Sequence, residues 1–148
     1  YVVLTATGTL VLNLWHALRT GPFRRAAGIA YPQSYAEASD FAAAAASAER
    51  KQQLYLFNCA QRSHANFLEH HTSALVALLL GGLVAPRAAT TLGVGWTAAR
   101  IMYAVGYTKR DQEKGKGRLM GGWFWFCEFG LMGLAGWSGY EMVMAGGR

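Results

Sequence analysis

Charge-free apolar stretches alternate with short polar ones along this chain. Residues 1–18, YVVLTATGTLVLNLWHAL, carry no charge and approach the roughly 20 residues that a bilayer-crossing helix needs. Arg19 ends the run, and Gly21 and Pro22 are expected to stop the helix, so the first span covers about 1–19. Residues 21 to about 48 read as a loop, with turn residues early and an alanine run late. Ser39 or Asp40 is placed to cap a helix beginning at Phe41. That helix is expected to run on through ERKQQLYLF into a second span over about 50–85. Pro86 and Arg87 then make a tight turn before a third span over about 88–108. The polar segment TKRDQEKGKGR, residues 108–118, separates it from a Gly- and Trp-rich fourth span over about 119–145. The pattern predicts an all-α chain, a single domain over residues 1–148, with four transmembrane helices in an up-down bundle.

Composition supports that picture. Hydrophobic residues make up 53% and charged residues 15%, against about a quarter charged in an ordinary soluble domain. The 18 Gly and 5 Trp suit close helix contacts and interfacial aromatics. Mean hydropathy is only +0.14, so the spans must be short or interrupted by polar groups. Cys59 and Cys127 fall in apolar segments and read as buried small hydrophobes rather than a disulfide framework.

The net charge of +6 is concentrated at span ends. Arg19, Arg24, Arg25, Arg50 and Lys51 lie between spans one and two; Lys109, Arg110, Lys114, Lys116 and Arg118 lie between spans three and four. The other side carries Arg87 and Arg148. The positive-inside rule puts both basic loops in the cytosol or its equivalent. Basic residues so placed argue against a nucleic-acid partner.

One polar cluster does not fit a plain hydrocarbon span. Arg62, Asn66 and Glu69 recur at i, i+4, i+7 and project within about 60° of one another on a helix. His70 lies at the edge of that stripe, and His64 and His71 point away. Arg100, Tyr103 and Tyr107 form a second stripe in the third span. A charge in a membrane costs roughly 2.5–3.5 kcal/mol, so such groups persist when they face the interior. Two readings stay open: salt bridges from Arg62 or Arg100 to Glu69 that lock helices together, or a site for a charged ligand entering from the basic side. Metal ligation is disfavoured, because His64, His70 and His71 lack the i, i+3 or i, i+4 spacing that ligands on one face require. Asp40 and Asp111 sit in loops, leaving no Ser/His/Asp set, and His16 is expected at the membrane interface.

FNCAQRSHANFLE (57–69), GGLVAPRAATTLGVGWTAARIMYAVGYT (81–108) and the basic loop after them resemble the MAPEG family, membrane-associated proteins in eicosanoid and glutathione metabolism. Within it they are most similar to the type 3 branch of microsomal glutathione transferases. The likeness is strongest over residues 54–122, and Tyr31–Pro32 downstream of Arg24–Arg25 also fits. The resemblance implies a four-helix membrane bundle assembling as a homotrimer in the endoplasmic reticulum, or alternatively a mitochondrial or plastid membrane. It implies glutathione as co-substrate between protomers, and lipophilic electrophiles or lipid hydroperoxides drawn from the membrane lipids. Arg62, Asn66 and Glu69, with His64, would hold glutathione from one protomer, and Arg100, Tyr103 and Tyr107 from a neighbour. Arg24 or Arg25 would lie near the second substrate. Arg118, with Lys114 as the competing assignment, would stabilise the thiolate. The chain departs from the family at His70–His71 and in a longer first loop, 33–53. Those departures leave room for a non-catalytic accessory subunit or scaffold of a larger membrane complex.

Overall fold

A computed structural model describes residues 1–111 and 113–146 of the chain. The order is α1 (Val2–Ala27), α2 (Ala38–Ala43), α3 (Ala48–Val84), α4 (Pro86–Tyr107), a 3-10 segment (Glu113–Gly121) and α5 (Phe124–Gly146). Helix α3 packs on α1, α4 and α5, while α4 also packs on α1 and α5. Among the described residues α3 is the helix whose length and apolar composition suffice to cross a membrane. Arg148, expected on the face opposite the basic loops, lies outside the described residues.

Local chemistry sets the element ends, and several differ from the expected ones. Helix α1 does not stop at Gly21–Pro22: Pro22 lies inside it. The stop comes at Gly28, whose left-handed φ of 57° lets its N–H reach the carbonyls of Arg24 and Arg25. Neither Ser39 nor Asp40 is the cap of α2. Glu37 is, in a reciprocal capping box with Asp40. Nor does α2 run on into the next helix. It ends at Ala43, and Ser47 opens α3 by accepting a bond from the Arg50 N–H at 3.2 Å. Pro86 belongs to α4 rather than to the turn, because a first-turn residue needs no N–H donor. The fourth helix begins at Phe124, not Leu119, since Lys114 and Gly115 take left-handed backbone angles and the chain coils as 3-10 through Gly121.

Both basic connections meet at one end. Arg19 on α1 donates to the Thr108 hydroxyl at 2.5 Å. Arg110 lies 3.4 Å from Glu49 at the start of α3. The Gly115 N–H donates to the Tyr55 hydroxyl at 2.6 Å. The core beneath joins all four long helices through Leu12, Phe67, Trp96 and Phe124. Cys59 and Cys127 are buried and unbridged.

The end of α4 and the 3-10 segment touch backbone to backbone. A Cβ on Gly106 would strike the Gly117 carbonyl oxygen, and one on Gly121 would strike the Ala99 carbonyl and the Tyr103 amide. Neither backbone can yield without moving the segment that carries Arg118. Gly106→Ala is therefore expected to cost about 1–3 kcal/mol, read as a lowered thermal midpoint in detergent against an unchanged Gly133→Ala control, where a Cβ meets open space.

Candidate functional site: a polar row and a cleft at the basic end

Arg62, Asn66 and Glu69 share one face of α3, as their spacing predicts. Arg62 closes a two-pronged ion pair on Glu69, with N–O distances of 2.6 and 3.2 Å, and the Asn66 amide donates to the same carboxylate at 3.3 Å. The pair is half exposed, at 47% and 50%, so it adds only about 0–1 kcal/mol to stability. It also lies within one helix. It is one of the two salt bridges the sequence left open, yet it does not lock helices together.

Arg100 makes the interhelical contact. Its Nη1 donates to the Asn66 Oδ1 at 3.0 Å, joining α4 to α3 in the same protomer. The residue is fully buried. Its guanidinium lies among four rings, with centroids at 4.3 Å (Phe124), 4.9 Å (Tyr103), 5.6 Å (Phe67) and 5.7 Å (Trp96). Aromatic faces stabilise a desolvated cation electrostatically. Its Nε and Nη2 have no hydrogen-bond partner among the described residues. The Glu128 and Glu69 carboxylates supply longer-range attraction.

A second buried cluster lies across α3, α4 and α5. Glu128 is 1% exposed. It accepts from the Ser73 hydroxyl at 2.9 Å and the Trp96 indole at 3.1 Å, and its Oε1 is 3.1 Å from the His70 Nδ1. His70, read from sequence as a departure at the edge of the stripe, is thus the partner of a buried carboxylate. A Glu in the middle of an apolar span was the signal for such a partner.

At the basic end a cleft of about 410 Å³ opens, within the range of ligand pockets, about 300–1,000 Å³. Arg62, Tyr107 and Lys114 line it from the predicted set. Tyr35, Tyr55 and Cys59 line it as well, and sequence reasoning missed them. Tyr55 and Cys59 extend the Arg62–Asn66–Glu69 stripe toward the N-terminus at the same helical spacing, which was the available signal. Arg118 stands behind the cleft wall. Its guanidinium lies 5.5 Å from the Tyr107 ring centroid and donates to the carbonyls of Lys114 (3.1 Å) and Gly115 (2.9 Å), holding the left-handed turn.

The remaining predicted residues are elsewhere. His64 faces α1, its ring stacked 6.3 Å from that of His16. His16 is not interfacial: it is 2% exposed and stacks on Phe67 at 4.3 Å. His71 bonds Thr9 on α1 at 3.0 Å. Arg24 is buried and donates to the Gln33 carbonyl at 2.6 Å, bracing the first loop, while Arg25 is exposed.

The family model of the MAPEG family matches residues 2–137. The chain belongs to the MAPEG family and is accordingly membrane-associated.

The Glu128 cluster makes a stability prediction. Glu128→Leu leaves the Trp96 indole N–H unsatisfied in the core and takes an acceptor from His70, while the Ser73 hydroxyl keeps its bond to the His70 carbonyl. We expect a loss of about 1–3 kcal/mol by unfolding in detergent, with Glu128→Gln losing less because it keeps an acceptor.

Proposed function

We propose that the chain is a multi-pass membrane glutathione transferase or peroxidase of the type 3 microsomal kind, with four spans and its basic end in the cytosol. Its setting in this reading is the endoplasmic reticulum, where lipophilic substrates reach it through the bilayer. The observation that carries the reading is the cleft at the basic rim. It is continuous with a row of groups suited to a tripeptide that bears two carboxylates and an ammonium. Arg62 offers planar two-pronged carboxylate recognition, and Glu69 is suited to the amine. Asn66 and Arg100 hold that carboxylate and its neighbours in place from below. A homotrimer would bring a second protomer against this face.

A thiol ordinarily has a pKa of about 8.5, and a nearby cation favours its thiolate. Arg118, beside Tyr107, is the cation assigned to that task, and Lys114 in the cleft lining is its competitor. In the transfer reaction the thiolate sulfur forms a C–S bond to the electrophile. The leaving group departs with its electron pair, or an activated alkene accepts the pair and then a proton. In the peroxidase reaction the thiolate attacks the terminal oxygen of a lipid hydroperoxide. The O–O bond breaks, the lipid alkoxide takes a proton, and a second glutathione converts the sulfenic acid to disulfide and water.

A second reading, a non-catalytic accessory subunit or scaffold, draws on two contacts. Arg62 and Glu69 already satisfy each other, and His70 is engaged with Glu128. Glutathione titration of the purified protein, followed by thiolate absorbance in the ultraviolet, separates the two: a subunit without the chemistry develops no thiolate signal.

In the enzyme reading, Arg62→Ala is expected to weaken glutathione binding by about 10- to 100-fold, the loss of a charge-assisted hydrogen bond. Arg118→Ala is expected to lower turnover about a hundredfold, a larger effect than its weakening of binding through the loosened Lys114–Gly115 turn. Should Lys114→Ala show that loss instead, the thiolate's partner is Lys114.

A further inference from the structure

The first loop is tied down residue by residue. Arg24 donates to the Gln33 carbonyl at 2.6 Å. The Gln33 amide donates to the Tyr35 carbonyl at 2.9 Å and to Asp40 at 2.7 Å. Gln61 on α3 donates to the Ser34 carbonyl at 2.7 Å. Asn58, also on α3, clasps Ala36 from both sides, accepting its N–H at 2.7 Å and donating to its carbonyl at 2.9 Å. The residues on either side of Tyr35 are therefore fixed to the helix that carries Arg62. Among the described residues the loop is held by the side chains of Arg24, Gln33, Asn58 and Gln61, not by that of Tyr35. Tyr35 lines the same cleft as Arg62 and Tyr107 and is 39% exposed.

This clamping has a chemical consequence. The Arg62–Glu69 pair uses two guanidinium nitrogens and leaves other donors of the fork free. Those donors, the Tyr35 hydroxyl and the Lys114 ammonium belong to one cleft, on the far side of Arg62 from Glu69 along α3. A ligand ammonium is drawn to the Glu69 end. A carboxylate with no ammonium beside it is drawn to the other. On a tripeptide of the glutathione type the first is the γ-glutamyl end and the second is the glycine end.

We propose that Tyr35 is a specificity-determining residue of this cleft, donating a hydrogen bond to the glycine carboxylate of glutathione alongside Arg62. The inference deepens the tripeptide reading above and rests on it. It assigns the enlarged first loop a role in the site: a strap that delivers a hydroxyl from outside the helices.

The test is calorimetric titration of detergent-solubilised wild type and Tyr35→Phe with two probes, glutathione and its glycine ethyl ester. Tyr35→Phe removes a single hydroxyl and leaves the strap's bonds in place. Wild type is expected to bind glutathione more tightly than the ester. Tyr35→Phe is expected to weaken glutathione about tenfold or more and to leave the ester unchanged. Equal weakening of both probes, or of neither, overturns the assignment to Tyr35 while the tripeptide reading stands. Failure of wild type to bind glutathione at all removes both.

Discussion

A guanidinium with no access to water sets the terms for the rest of this molecule. Arg100 is fully buried, and among the described residues its direct hydrogen-bond partner is Asn66. A charge so placed is retained only if groups around it are fixed at short range. Four rings from α3, α4 and α5 surround it, so those helices cannot slide past one another without uncovering it. Glu128 is the second such group, and its donors come from α3 and α4. Arg100 and Glu128 thus fix helix register in a core that also packs Leu12, Phe67, Trp96 and Phe124.

The same arrangement links interior to surface. Asn66 accepts from Arg100 and donates to Glu69, and Glu69 in turn holds Arg62 at the cleft. The buried end of that row is rigid, because breaking it would strand a charge. The outer end is a half-exposed ion pair of small net worth, which a charged ligand can trade for its own contacts at little cost. Tyr35 and Lys114 stand beside this tradable end.

What was legible in the sequence followed from periodicity. The α3 and α4 stripes were visible because helical spacing alone decides which residues share a face; Arg100 meets Asn66 within one protomer, where the resemblance implied a neighbour's helix. Element ends were less visible. Pro22 is a strong local stop signal, yet the helix continues because Gly28 six residues later supplies the cap that closes it. The left-handed turn at Lys114–Gly115 is held locally by Arg118 and from a distance by Tyr55, sixty residues away, and no local pattern encodes the second contact. Tyr35 was hidden for a similar reason. Its position rests on Asn58 and Gln61, more than twenty residues away in sequence. The partner of Glu128 was misread rather than hidden, since His70 was weighed as a departure from a family pattern instead of as a donor.

The distribution of side chains also explains why amphipathic helix patterns are faint in this chain. Leu4, Val11 and Leu18 on α1, and Phe126, Phe129 and Val143 on α5, are all exposed. Meanwhile Ser63, Ser138, His16, Arg100 and Glu128 are buried. Large apolar groups outside and polar groups inside would be unfavourable in water, where so much exposed apolar surface signals an interface. In hydrocarbon the balance reverses. Outer Leu, Val and Phe cost nothing against lipid tails, and association depends on close packing and interior polar contacts. Gly81 against Leu134 and Gly130 against Leu92 supply the first, with each glycine seated where a Cβ would meet a neighbouring side chain. The Arg100 and Glu128 networks supply the second. Through Asn66 and Glu69 the Arg100 network also reaches Arg62 in the cleft, so one row of side chains serves both helix association and the cleft.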